Sequence, residues 1–384
     1  MPLDQHGPLI VNLLQSHKNE LVEFLKELVL AESPSTDAES QGQVLRKLGQ
    51  ALSDFGFAVE YAAGTRTGGH LLARDGRQDL AGKQLILGHA DTVWPVGTLE
   101  KMPFEVRDGM IKGPGVFDMK GGLVQMVFAL QAISHLGLEP ELNTIILINT
   151  DEEIGSFESG PHIRQLAQEV DRVFVLEPAL GPKGKLKTSR KGVGDYTIEV
   201  KGRAAHAGLD PEKGISAILE MCRVIEDLQA MNDPVKGMSV SVGIIQGGTR
   251  INVIPPMCTV EVDVRAKTMQ DAALLEESLK NLKAHTPGCE VVIQGEFNRL
   301  PMEATERNQA LWETAVQLGS SIGIELEQGA AGGGSDGNIT SQYTATLDGL
   351  GAVGDGAHAD HEFLYSDKLL ERSALLALLL LAPP

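Results

Sequence analysis

Three short apolar runs in this chain each end on acidic or imidazole side chains, and that pattern limits the folds open to it. "LILGHADTV" (Leu85 to Val93), "TIILINTDEE" (Thr144 to Glu153) and "RVFVLEP" (Arg172 to Pro178) are nearly continuous in Leu, Ile, Val and Phe over a strand's length. A strand apolar on both sides has to be covered on both faces, as parallel strands in an α/β sheet are. The intervening segments can supply that cover. Ile10 to Leu30, Ala38 to Phe55 and "GGLVQMVFALQAISHLG" (Gly121 to Gly137) carry helical spacing, the last bounded by glycine at both ends. The fold is therefore read as α/β, with a mixed, mostly parallel sheet covered by helices.

The texture changes after Gly181. "GVGDYTIEVKG" (Gly192 to Gly202) alternates as a half-exposed strand does, and a helix is expected over Ile215 to Met231. Strands near Met238 to Ile245 and Met257 to Arg265, a helix over Asp271 to Ala284 and a strand near Val291 to Gly295 complete the set. This β-α-β-β-α-β order is that of a split α+β sandwich with one open sheet face. From about Pro301 the buried α/β texture resumes. The expected organisation is a discontinuous main domain, residues 1–190 and 301–384, with an inserted domain at 191–300.

Charge narrows the partners. The chain has 33 Lys and Arg against 52 Asp and Glu, a net −19, which argues against nucleic acid or an anionic membrane surface. The first residues show no basic start followed by an apolar stretch, so a cytoplasmic protein is expected, although a processed chain would look the same. Ala374 to Ala382 is too short to span a bilayer and reads as the buried face of a last helix. Cys222, Cys258 and Cys289 form no C-x-x-C pair and are expected as buried free thiols in a reducing compartment.

In open α/β sheets, ligands gather at the carboxyl ends of strands. His89 and Asp91 stand there in "GHADTV", Glu152 and Glu153 after "TIILINT", and Glu177 in "VFVLEP". "GPGVFDMKGG" places Asp118 in a glycine-rich turn before a helix, and "GDGAHADHEF" offers His358 and His361. Asp151, Glu152 and Glu153 crowd together near a dry core, where like charges need a positive partner. No Lys or Arg follows them before Arg164. Imidazole and carboxylate ligands suit zinc, and two close metals need a bridging carboxylate. Any one of these residues alone is better read as a solvated loop end; their recurrence at strand ends is what points to a metal centre.

These motifs, H-A-D-T-V, G-P-G-V-F-D-M-K-G-G, N-T-D-E-E-I-G-S, L-E-P and the late G-x-x-x-x-H, resemble the co-catalytic dizinc metallopeptidases that include aminoacylases and bacterial glutamate carboxypeptidases. The resemblance spans essentially the whole chain, the insertion included, and is strongest to the folate-hydrolysing members. It implies that Asp118 bridges two zinc ions per subunit, with His89 and Glu177 completing one site and Glu153 and His358 the other. Asp91 would orient His89, and Glu152 would be the general base, facing away from Glu153 if the two lie on extended chain. Asp151 would be structural.

The resemblance also makes the insertion a lid and a dimerisation domain, with His206 as an oxyanion donor and Asn252 and Arg265 as substrate contacts. Gly333 and Gly334 would let backbone approach the substrate. Arg265 has a plain alternative as a strand residue in a surface ion pair. Glu at position 177 implies a carboxypeptidase or deacylase rather than an aminopeptidase. The implied substrates are N-acyl amino acids or short peptides, with release of C-terminal glutamate from folate-type compounds foremost. Lys191, Arg190 and Arg299 are candidates for the substrate's side-chain carboxylate. Two departures stand out: Met119 follows Asp118 where the family often has an acidic residue, and the spacing at His358 leaves His361 as a rival ligand.

Two other readings exist. Gly333-Gly334-Ser335-Asp336-Gly337 matches G-x-S-x-G, preceded by a strand-like Ile324 to Gln328 and followed by Asp355 and His358 in serine-hydrolase order. That reading leaves the acidic cluster unexplained. A metal-free binding protein is the other, and it leaves the full ligand set without a purpose.

Overall fold

The computed structural model describes residues 3–77, 80 and 82–384. They fall into two compact units. One runs to Ser189 and resumes over Ala304–Ala331 and Ser335–Pro384; the other is Arg190–Glu303 together with Gly332–Gly334.

The first unit is built on a six-stranded sheet in the order Ala58–Ala62, His70–Arg74, Asn143–Asn149, Lys83–His89, Arg172–Val175, Ala345–Leu347. The last four run parallel to one another, and the first two are antiparallel additions at one edge. Lys83–His89 and Asn143–Asn149 are buried along almost their whole length, as their apolar runs require. The expected helix from Ile10 to Leu30 is two helices, Leu3–Ser16 and Lys18–Leu30, broken at His17. Helix Gly121–His135 is buried on nearly every side and packs against Ser366–Leu381, which is enclosed from Leu375 to Leu381 rather than on one face. Val116–His135 is the one stretch among the described residues long and apolar enough to cross a membrane, and it lies inside this core.

A second, four-stranded antiparallel sheet in this unit joins distant parts of the chain. Its order is Gly354–Asp355, Phe363–Tyr365, Met110–Lys112, Glu105–Arg107. The pairing of Phe363–Tyr365 with Met110–Lys112 lays the 356–362 loop beside the glycine-rich turn at 113–118.

In the other unit, four antiparallel strands lie in the order Ser239–Gly247, Met257–Ala266, Gly192–Lys201, Glu290–Arg299. Helices Ala217–Ala230 and Met269–Lys280, N-capped by Ser216 and Thr268, cover the face carrying Ile198, Val200, Val260, Val262 and Val264. Polar Asp195, Thr197, Glu199 and Glu261 alternate with them on the opposite face. The cysteines are free, but only Cys258 is buried; Cys222 is exposed and Cys289 intermediate. Cys222 sits beside the core-facing Met221 on an amphipathic helix, so its own side chain turns outward.

Candidate metal centre

The carboxyl end of the six-stranded sheet and the joined loops bring five side chains together. Strand Lys83–His89 ends on His89, whose side chain is essentially buried. Its Nδ1 lies 3.0 Å from the Asp91 carbonyl and 3.4 Å from Asp91 Oδ1. Nε2 therefore points the other way. It lies 3.4 Å from Asp118 Oδ1 and 3.5 Å from Glu177 Oε1, with no hydrogen-bond partner of its own among the described residues.

Asp118 divides its carboxylate between two histidines. Oδ1 faces His89, and Oδ2 lies 3.5 Å from His358 Nε2. His358 in turn approaches Glu153 Oε2 at 3.1 Å, while the buried Glu153 Oε1 has no hydrogen-bond partner among the described residues. His358 holds the left-handed conformation, φ +61°, which is uncommon for a side chain of its size and turns the ring toward this cluster. His361 does not join it; it is exposed and lies 3.6 Å from Asp360.

Glu152 and Glu153 do not lie on extended chain. Strand Asn143–Asn149 has ended, and Glu152–Ile154 is one 3-10 turn. The reason is Asp91, whose carboxylate accepts the Glu152 and Glu153 amides at 3.3 and 3.2 Å and the Ser35 hydroxyl at 2.7 Å. Both glutamates stay close to the cluster: ligand atoms of His89, Glu152 and Glu177 lie within 4.8 Å of one another, as do those of His89, Asp118 and Glu153. Asp151 turns away, accepting the Glu158 and Ser159 amides and the Ser159 hydroxyl. Close packing supports Glu177: a Cβ at Gly122 would stand 2.2 Å from the Leu176 carbonyl, and one at Gly351 2.1 Å from it.

A residue that the sequence motifs did not single out completes the turn. Glu362, 1% exposed, accepts N–H groups from Gly115 at 2.8 Å, Phe117 at 2.9 Å, Asp118 at 3.0 Å and Trp94 Nε1 at 2.8 Å. Burial leaves its carboxyl raised to about 7 even with the donors pulling it down. With donors on both oxygens, the ionised carboxylate is the form this geometry holds. Its only signal in the sequence is an acidic residue four places after His358.

The electrostatics follow from this crowding. Burial alone would raise Asp118, but His358 and His89 hold it well below the usual carboxylate range. Hydrogen bonding to Asp118 and Glu153 lifts His358 to about 10, and Asp118, Asp91 and Glu177 raise His89 against its burial. Among the described residues, two buried atoms of this cluster, His89 Nε2 and Glu153 Oε1, have no hydrogen-bond partner. Two imidazoles and three carboxylates, the central one, Asp118, with one oxygen toward each histidine, fit a pair of divalent cations.

The Ser335 elbow is different. Its Oγ, fully buried, donates to Asp348 at 2.7 Å and accepts the Gly337 amide, so no histidine is its partner. The strand near it is Gln328–Ala331, later than Ile324 to Gln328, and His358 is committed to the acidic cluster.

The remaining residues belong to the other unit. His206 and Asn252 are exposed, His206 on a short ribbon pairing Ala205–His206 with Val253–Ile254 and Asn252 in the turn just before its second arm. His206 Nδ1 accepts the Gly208 and Leu209 amides at 3.1 and 3.2 Å, a pattern that leaves the ring proton on Nε2. Arg265 makes the strand ion pair: Nε and Nη2 donate to Asp263 at 3.0 and 2.9 Å, and Nη1 donates to the Gly332 carbonyl at 2.9 Å. Arg190 donates to the Gly333 and Gly334 carbonyls, and a Cβ at Gly334 would stand 2.8 Å from Arg299 Cδ, whereas Gly333 has open space around it.

A mostly parallel sheet with such a cluster at its carboxyl end defines a metallohydrolase class. Residues 85–382 match the pattern of peptidase family M20/M25/M40, and the chain belongs to that family of hydrolases. It is 30% identical over 357 residues to carboxypeptidase G2 of Pseudomonas sp. (strain RS-16), covering 88% of this chain and 83% of that one. To acetylornithine deacetylase of Proteus mirabilis (strain HI4320) it is 30% identical over 296 residues, 70% of this chain and 73% of the other. The fold is also that of the aminopeptidase PepT from Bacillus cereus ATCC 10987, with a TM-score of 0.77 at 20% identity, covering 94% of this chain and 98% of that one.

Proposed function

We propose that this protein is a dizinc metallocarboxypeptidase that hydrolyses the amide bond of N-acyl amino acids or small peptides, releasing C-terminal glutamate from folate-type N-acylglutamates. The observation that carries the reading is the Asp118 carboxylate, one oxygen toward His89 and the other toward His358. His89, Asp118 and Glu177 would hold one zinc ion, and Asp118, Glu153 and His358 the other. Zinc bound there supplies Lewis-acid charge for the scissile carbonyl and lowers the pKa of a water.

The chain's own residues do the rest. Glu152 takes the water's proton and returns it to the leaving amine nitrogen, the work of a general base that becomes an acid. Asp91 keeps Glu152 and Glu153 in place through their amides and sets the direction of His89. His206, with its proton on Nε2, is the donor to the carbonyl oxygen as negative charge develops there. Arg265 keeps one N–H on each terminal nitrogen beyond its contacts with Asp263 and Gly332, enough for a substrate carboxylate. Asn252, Gly333 and Gly334 would contact the substrate.

Glutamate release from a folate-type N-acylglutamate, with and without a metal chelator, tests the proposal. Chelator-sensitive release is expected; release that ignores thorough metal removal would overturn it. A second reading, an N-acyl amino acid deacylase, is favoured by the acetylornithine deacetylase relative, and release of acetate or succinate in place of glutamate would select it. The protein would act as a homodimer through the inserted unit, whose edge strand Ser239–Gly247 carries exposed Ile244 and Ile245. Sedimentation of the unaltered chain and of Ile245→Glu tests this; a dimer that Ile245→Glu leaves intact would place the interface elsewhere.

A further inference from the structure

Glu362 stands outside the ligand set, the base and the substrate contacts, yet it has more hydrogen bonds into the Asp118 turn than any of them. Oε1 accepts the amides of Phe117 and Asp118, and Oε2 accepts the Gly115 amide and the Trp94 indole N–H. Its own backbone is tied into the His358 turn, where the Ala359 amide donates to Gly356 and the Glu362 amide donates to Ala359. One buried side chain therefore spans two loops, the one carrying Asp118 and the one carrying His358.

We infer that Glu362 is a positioning residue that sets the separation of Asp118 and His358, and through it the geometry in which the centre takes up its metal ions. The inference rests on the reading of Asp118 and His358 as ligands. Asp118 has its own amide held by Glu362, so the direction of its side chain is fixed from one side. Gly115, at φ +74°, brings its amide to the same carboxylate from the other end of the turn. Without the carboxylate, four buried or half-buried donors lose their acceptor at once, and the turn has to rearrange. The Asp118 Oδ2 to His358 Nε2 approach of 3.5 Å would go with it.

The chemistry calls for a carboxylate. Glutamine has nearly the same volume, but its amide offers one acceptor oxygen and an NH2 group that only donates. In either flip, two N–H donors would face that NH2 group. Glu362→Gln is thus a change of hydrogen-bonding capacity with little change of shape.

The test uses the full chain stripped of metal and titrated with Co2+, whose visible absorption reports ligand geometry. The apo protein's melting temperature is followed in parallel. For Glu362→Gln the expected result is an apo melting temperature within a few degrees of the unaltered chain, Co2+ affinity weaker by about 10- to 100-fold and a shifted absorption band. Unaltered affinity and band would overturn the inference, whatever the melting temperature did. If Glu362→Gln fails to fold, Glu362→Asp keeps the charge but withdraws it by one methylene; weaker Co2+ binding with a shifted band supports positioning, and an unaltered band and affinity overturns it. Asp118→Asn separates the two levels. If that variant binds Co2+ like the unaltered chain, the ligand reading itself fails; if it loses Co2+ while both Glu362 variants keep it, only the positioning role does.

Discussion

Asp118 Oδ2 stands 3.5 Å from His358 Nε2, although one residue lies in the turn before helix Gly121–His135, in the first third of the chain, and the other on a loop near its far end. The proximity depends on the small antiparallel sheet that pairs Phe363–Tyr365 with Met110–Lys112. If both side chains hold metal, Asp118→Ala should lose bound metal and activity together. Glu152→Ala should keep its metal and lose about 10²- to 10⁴-fold in kcat, the usual contribution of a general base. Metal content by elemental analysis beside steady-state kinetics separates the two; near-normal turnover by Glu152→Ala would remove Glu152 from the base role.

His206 and Arg265 should divide differently. His206→Ala is expected to lower kcat by about 10²- to 10³-fold, as the loss of one donor to a developing oxyanion does. Arg265→Ala should act mainly on KM, since a grip on a substrate carboxylate is present before and during reaction. Neither variant should alter metal content, and a loss of metal from either would place it on the wrong task.

The Ser335 hydroxyl is held between Asp348 and the Gly337 amide. Ser335→Ala should therefore cost stability, about 1–3 kcal/mol for buried groups left without a partner, and spare kcat. A serine-directed phosphonate should leave the enzyme active. Stoichiometric inactivation at Ser335 would reopen the serine-hydrolase reading.

His70 gives a pH dependence unrelated to metal. Burial and the neighbouring His162 imidazole, with ring centroids 4.6 Å apart, both hold its pKa below 6.5. The unfolded chain takes up this proton near 6.5 and the folded chain only at lower pH, so His70's contribution to stability is complete above 6.5. It is lost as pH falls from there through the folded pKa. NMR titration of His70 should show its pKa rising in His162→Asn, which removes the imidazole charge; no movement would assign the shift to burial alone.

Arg372 is 2% exposed in the middle of helix Ser366–Leu381; among the described residues Nε and Nη1 lack hydrogen-bond partners, Nη2 donates to Gly184, and the one ion pair is a loose 3.8 Å approach of Nε to Glu371 Oε1. A charge so poorly matched offsets little of its burial. Arg372→Met should leave the melting temperature unchanged or raise it, whereas Leu378→Ala, in the same core, should cost about 2–5 kcal/mol. A large drop for Arg372→Met would show that the guanidinium is better satisfied than its contacts indicate.

The strands that end in ligands were legible because their burial on both faces leaves a run of Leu, Ile and Val that no half-exposed element would carry. Lys83–His89, Asn143–Asn149 and Arg172–Val175 stand where "LILGH", "TIILIN" and "RVFV" put them. Local rules failed where a distant group decides the backbone. Glu152 and Glu153 read as extended chain, but Asp91, some sixty positions earlier, gathers their amides into a turn. The break at His17 was hidden in a continuous helical pattern. Nothing local in the sequence singles out Glu362, because the amides it holds sit on a loop about 245 positions away, a relation with no periodicity to reveal it.

The order of the candidate ligands along the chain has a consequence for biosynthesis. His89, Asp118, Glu153 and Glu177 are all made before the inserted unit, and His358 only after it. A nascent chain therefore carries an incomplete, strongly anionic pocket throughout synthesis of the insertion. If these side chains are the ligands, the set proposed for one cation, His89, Asp118 and Glu177, is already made by then, and only the site that needs His358 must wait until the two separated stretches of the first unit have found each other.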